Sequence, residues 1–158
     1  MNDIPDMQDC IDACTNCHQA CLQTALTHCL QMGGRHVAPD HFRLMMDCAA
    51  ICETCANLQL SGSPFSARLC ALCADICHAC ALSCLELDGM EECARACLCT
   101  TKKYLHARHV GHIDPLVRGN RVCAPSHMIE RVVQLCVARS SNTAEPSKKG
   151  RVEYGHQL

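Results

Sequence analysis

The sequence predicts an all-α protein: an antiparallel, up-down-up-down four-helix bundle with a cysteine-lined core, followed by an irregular C-terminal tail. Three observations predict it. Cysteine accounts for 18 of the 158 residues, several times ordinary usage. Most of these cysteines recur at steps of three and four, the same-face spacing of an α-helix. Gly and Pro do not interrupt the cysteine runs and fall between them, where turns belong.

The first helix is expected over 6–31, where Cys10, Cys14, Cys17 and Cys21 form one stripe. Met32-Gly33-Gly34 closes it, with Gly available for a left-handed C-cap. Pro39-Asp40 opens the second helix, 39–60, which carries Cys48, Cys52 and Cys55. Ser61-Gly62-Ser63-Pro64 ends it and starts the third, with Ser63 as N-cap and Pro64 at the first helical position. That helix, 64–87, holds the longest ladder: Cys70, Cys73, Cys77, Cys80 and Cys84. Asp88-Gly89-Met90-Glu91 resembles a capping box and opens the fourth, 89–107, with Cys93 and Cys97. Short connections make successive helices antiparallel neighbours. The bundle is expected over 1–108, and 109–158 as an atypical, largely disordered extension.

A net charge of −2 and the lack of a dense basic cluster argue against nucleic acid as a partner. No run approaching the ~18–20 apolar residues of a membrane span is expected. The first residues, Met1-Asn2-Asp3-Ile4-Pro5-Asp6, lack the basic and apolar regions of a secretory signal. A cytoplasmic chain is therefore expected, and reducing cytosol keeps thiols free.

A bundle must bury one face of each helix, and the most regular stripe on each is cysteine. Free thiols behave as small hydrophobes, but Leu, Ile and Phe bury more area. An ordinary core therefore gives no reason for so many. Cysteines three or four apart on one helix do not take up disulfide geometry without disturbing it. Zinc prefers four ligands in a closed tetrahedron, and a ladder has no natural unit of four. The Cys-x-x-Cys steps, including the haem-like Cys14-Thr15-Asn16-Cys17-His18, are fragments of longer ladders. His18 and His78 each follow a stripe cysteine by one residue and are expected on the solvent side. Cu(I) fits best. It is soft, prefers thiolate and thioether, and its charge offsets that of buried thiolates that would otherwise be prohibitively expensive. A redox, iron–sulfur or zinc-binding bundle is the alternative.

Extending the stripes reaches further ligands. From Cys21, steps of 7 and 4 reach His28 and Met32. Stepping back from Cys48 reaches Met45 and His41, and stepping back from Cys93 reaches Met90. Antiparallel packing brings these five to one end beside Cys29 and Cys84. Weaker ligands than thiolate suit a mouth where metal arrives and leaves. His36 and Met46 belong to the same end, with no direction assigned.

The chain resembles the bacterial copper storage proteins, and most of all their cytosolic type. The residues that carry the resemblance are Cys10-x3-Cys14-x2-Cys17-x3-Cys21, Thr27-His28-Cys29, His41-Phe42-Arg43-Leu44-Met45-Met46 leading into Cys48-x3-Cys52-x2-Cys55, and the Cys70 to Cys84 ladder. The resemblance spans roughly 7–98. It implies multiple Cu(I) ions held mainly by thiolate pairs, exchange near the His/Met end, and a homotetramer. Copper chaperones or copper enzymes would be partners. Leu72 and Ile76 are compatible with an outer contact surface.

The pattern breaks after Cys97. Register calls for stripe positions at 100 and 104, which are Thr100 and Tyr104, while Cys99 falls about 120° from the stripe centre. One end of the core is thus expected to be metal-poor. Two readings of the remainder stand open: a frameshift near codon 98, or a genuine extension in which His106, His109 and His112 form a secondary metal site. Met128 to Ala138 is a further candidate helix, carrying Cys136.

Overall fold

A computed structural model describes residues 7–109, with side chains placed over 7–107. Cys123, Cys136, His112 and the candidate helix at 128–138 lie outside the described residues. Four long helices are present: α1 (Met7–Thr24), α2 (Pro39–Leu60), α3 (Ser66–Leu85) and α4 (Glu91–His109). The described residues contain no strand.

Each helix packs against two neighbours, and α4 closes the ring against α1. Pairing runs in opposite senses along the chain. Cys55 meets Cys70, Cys52 meets Cys73, and His41 meets Ser83. Likewise Asp9 meets Lys103, Cys17 meets Cys97, and Cys21 meets Cys93. The bundle is therefore antiparallel, as short connections require.

The stripes face inward. Between them Ala49, Ala74, Ala81 and Ala94 are buried, and small side chains at these contacts let helix axes approach closely. Among the described residues no Phe is buried, Leu87 and Leu98 are the buried leucines, and the fully buried side chains are mostly cysteine. The α3 helix alone corrects the expectation about membrane spans. Its 20 residues, at a mean hydropathy of 1.5, are long and apolar enough to cross a membrane by length and composition. Cysteine and alanine raise that value, and they form the face turned into the bundle.

The junctions differ from expectation in three places. First, α1 does not run on as α-helix: Ala25–Cys29 is π-helical, followed by a single α-turn at Leu30–Met32. A π-turn inserts one extra residue into the helix. Gly33 then ends the helix at φ +65° and ψ −155°, a glycine conformation outside the left-handed helical region expected for the cap. Second, the Ser63 hydroxyl accepts a bond from Phe65 N–H at 3.2 Å, but regular α-helix begins only at Ser66. Third, α4 starts at Glu91, and Ala94 N–H donates to Met90 O, so Met90 rather than Asp88 occupies the cap. Asp88 instead accepts from His36 Nε2 through its carbonyl, 3.0 Å away.

Past Cys97, α4 keeps packing. Thr100 and Tyr104 are buried on the stripe while Cys99 is exposed. Thr100 Oγ1 donates to Ala13 O at 3.1 Å and Thr101 Oγ1 to Ala74 O at 3.3 Å. Lys103 pairs with Asp9 at 2.9 Å. These contacts between helices suit a continuation that belongs to the fold.

Candidate metal centre

Thirteen of the fifteen stripe cysteines are buried, and Cys10 and Cys70 are partly exposed. Their sulfurs form a column. At one end Cys55 and Cys70 lie 3.2 Å apart, with Cys14 and Cys73 beside Cys55. The column continues through Cys73–Cys52 at 3.6 Å, Cys52–Cys77 at 3.4 Å and Cys77–Cys48 at 3.7 Å. It crosses to Cys17, 3.8 Å from Cys48, and then to Cys97 at 3.6 Å. Cys97–Cys21 and Cys21–Cys93 follow at 3.4 and 3.5 Å, and Cys80 and Cys84 flank Cys93.

Four groups of three or four sulfurs each lie within 4.8 Å of one another; the three groups of four overlap, and Cys14, Cys55 and Cys73 form a separate three. Cys17, Cys48, Cys21 and Cys97 each belong to two of them. Closed tetrahedral sites need four private ligands each, which this sharing denies. Ions that take fewer sulfurs can be placed side by side along the column.

Proton sharing follows the same contacts. The hydrogen bond with Cys21 holds the Cys17 thiol well below the usual range, and the same bond raises that of Cys21. Cys93 is brought down to about 6, foremost by its bond with Cys21. Cys80 is lowered foremost by its bond with Cys21. Burial raises Cys29, aided by the charges of Cys93 and Cys80. A negative charge formed at one of these sulfurs is stabilised by neighbouring thiols that donate to it, which suits metal exchanging for protons.

At the far end Cys29 Sγ lies 3.7 Å from Met45 Sδ and 3.8 Å from Met90 Sδ, all three fully buried. His41 is 7% exposed, and its Nδ1 lies 2.8 Å from Ser83 Oγ. Its Nε2 is buried without a hydrogen-bond partner, and burial lowers its pKa. A histidine held through Nδ1–H with Nε2 open is the usual arrangement of a metal-ligating imidazole.

Two of the five extended-stripe residues need correction. Met32 is 58% exposed and does not join the thioether cluster. His28 is half-buried and turned aside, its ring over Gly89 and edge-on to His36 at 5.2 Å. The π-turn explains both. In an unbroken α-helix Cys29 would fall about 80° off the stripe of Cys21, and His28 would lie on it. The extra residue turns the chain back by one position, so Cys29 faces the axis. His28 Nε2 is nonetheless buried without a hydrogen-bond partner. His18 and His78 are half-buried rather than on the solvent side, and His18 Nδ1 donates to Ala49 O at 2.9 Å.

Sequence reasoning missed Gln59. It is buried one turn beyond Cys55, and its Nε2 donates to Cys55 Sγ at 3.4 Å and toward Cys14 Sγ at 3.9 Å. Its place four residues after Cys55 on the stripe was the available signal. A cavity of about 150 Å³ opens at this end, bordered by Cys10, Cys14, Cys70, Thr100 and Tyr104.

Residues 4–109 match the family model for copper storage proteins. The chain belongs to the copper storage protein family. A curated relative, the cysteine-rich protein YhjQ of Bacillus subtilis, is 40% identical over 89 residues, 55% of this chain and 82% of YhjQ. Among solved structures, Nmul_A1745 of Nitrosospira multiformis is 51% identical with a TM-score of 0.62, covering 68% of this chain and 96% of that one. The Cu(I)-bound copper storage protein BsCsp3 is 36% identical with a TM-score of 0.56, over 65% and 94% of the two chains. Apo Csp3 of Bacillus subtilis gives 35% and 0.57, over 65% and 99%.

Proposed function

We propose that this family member takes up and stores multiple Cu(I) ions along its sulfur column and so keeps copper away from damaging chemistry. The observation that carries the proposal is the length of the column, in which sulfur neighbours sulfur at 3.4–3.8 Å from Cys73 to Cys93, with Cys55, itself 3.2 Å from Cys70, within 4.8 Å of Cys73. We assign the ions to Cys10, Cys14, Cys17, Cys21, Cys29, Cys48, Cys52, Cys55, Cys70, Cys73, Cys77, Cys80, Cys84, Cys93 and Cys97. Met45, Met90 and His41 form the mouth with Cys29. His28 stands at its rim, and Met32 is not included.

The role is binding rather than catalysis, a reading supported by a core given over mainly to clustered sulfurs. The bundle is assigned to residues 1–108 and its place of action to the cytoplasm, where thiols stay reduced. Copper chaperones or copper enzymes are the exchange partners this chemistry implies. The outward side of α3, with Phe65 and Leu72 exposed and Leu69 and Ile76 half-buried, supports assembly of identical chains into a tetramer.

Copper X-ray absorption on the loaded protein tests the ligand assignment. A sulfur-dominated shell of about two or three atoms per copper is expected for so soft an ion. A shell dominated by nitrogen or oxygen would overturn it.

A further inference from the structure

The end of the column opposite the thioethers is built differently from the rest. Elsewhere α4 presents sulfur to the axis. Here it presents Thr100 and Tyr104, and the Thr100 hydroxyl is committed to the Ala13 and Ala96 carbonyls. The space left is the cavity of about 150 Å³. Partly exposed Cys10 and Cys70 lie between the surface and the buried Cys14, Cys55 and Cys73 that also border it. Lys103, held by Asp9 at 2.9 Å, stands at the cavity wall.

We propose that this cavity is a second copper-exchange port, which admits a low-molecular-weight thiol bearing a carboxylate. The proposal rests on the Cu(I) reading above. A Cu(I) on Cys55 and Cys70 meets three cysteine-bearing helices at this end and no sulfur from the fourth, so its open side faces the cavity. The volume selects the occupant: about 150 Å³ accepts a benzene-sized group, enough for a cysteinyl arm and far too little for a folded domain. Lys103 offers a cation to the carboxylate of such a molecule in exchange for its partly exposed pairing with Asp9, a surface pair worth little in water. The step is ligand exchange at constant oxidation state. The incoming sulfur forms a bond to copper, the copper–Cys70 bond breaks, and the proton of the incoming thiol passes to Cys70.

The test uses the full-length, Cu(I)-loaded protein without oxygen. Transfer of copper to a colorimetric Cu(I) chelator is timed with and without glutathione as the probe thiol, and with neutral mercaptoethanol for comparison. Ala67→Trp, which places bulk in the cavity wall, should reduce the acceleration by glutathione several-fold while leaving copper capacity unchanged. Met45→Leu with His41→Phe should slow basal transfer and keep that acceleration. Lys103→Gln should weaken the glutathione effect more than the mercaptoethanol effect. Native mass spectrometry gives an independent reading: a copper-dependent glutathione adduct that Cys55→Ser, which removes the ligand retained in the exchange, abolishes. Unchanged acceleration in Ala67→Trp, or an adduct indifferent to Cys55→Ser, would overturn the second port. A wild-type capacity of one or two ions would instead overturn Cu(I) storage itself, so the two failures are distinct.

Discussion

Gly89→Ala probes the mouth without touching any sulfur. Gly89 sits at φ +76°, and an added Cβ would lie 2.9 Å from His28 Cε1 and 3.1 Å from its Nε2. Holding an L-residue in the left-handed region costs roughly 1–2 kcal/mol. The imidazole is the movable end of a side chain, so the clash turns the ring aside instead of adding a comparable strain. In a bundle of this size each kcal/mol lowers Tm by roughly 4–8 °C. Gly62→Ala is the control: Gly62 sits at φ +64° with nothing within 4 Å of its Cβ position. Both apo variants should lose similar stability by calorimetry. Only Gly89→Ala should slow Cu(I) uptake in stopped-flow loading, and neither should lose capacity. Equal uptake rates in the two variants would refute a role for His28 at the mouth.

Three further outcomes follow from the same geometry. Replacing Met45 by Leu, a volume-conserving change costing less than about 1.5 kcal/mol, together with His41→Phe, should slow loading and removal more than it lowers capacity; unchanged kinetics would count against the mouth. Burial holds the His41 pKa below 6.5, so the unfolded chain binds the proton first and apo stability should fall as pH drops below 6.5; denaturant midpoints in the wild type should show a drop that His41→Phe lacks. Thr100→Cys with Tyr104→Cys should raise copper capacity, read by titration, because both positions already face the axis.

The bundle was legible in the sequence because cysteine steps of three and four report a helical face directly. Bounds for α2 came out as read, since Pro39 and Ser61-Gly62 punctuate both ends. The π-turn was not legible. Nothing in Ala25-Leu26-Thr27-His28-Cys29 marks an extra residue in the turn, so stepping along an ideal helix carried His28 and Met32 inward and left Cys29 beside the stripe. Thr100 and Tyr104 were correctly placed on the stripe, but the cavity beside them was not foreseeable. It depends on how four helices space themselves where sulfur is missing from one. The partners of His36 and His41, Asp88 O and Ser83 Oγ, lie 52 and 42 residues away in sequence, beyond the reach of local pattern.

A core of cysteine and alanine buries less apolar area than one of leucine and phenylalanine, so bound metal should make the loaded bundle more stable than the apo bundle. The central claim is multiplicity. Its most direct test is anaerobic titration of fully reduced protein with Cu(I) against a strong chelator. The account predicts tight binding of many equivalents per chain, approaching the number of column cysteines. Saturation at one or two equivalents, or a coloured iron–sulfur cluster in the protein as purified, would contradict it.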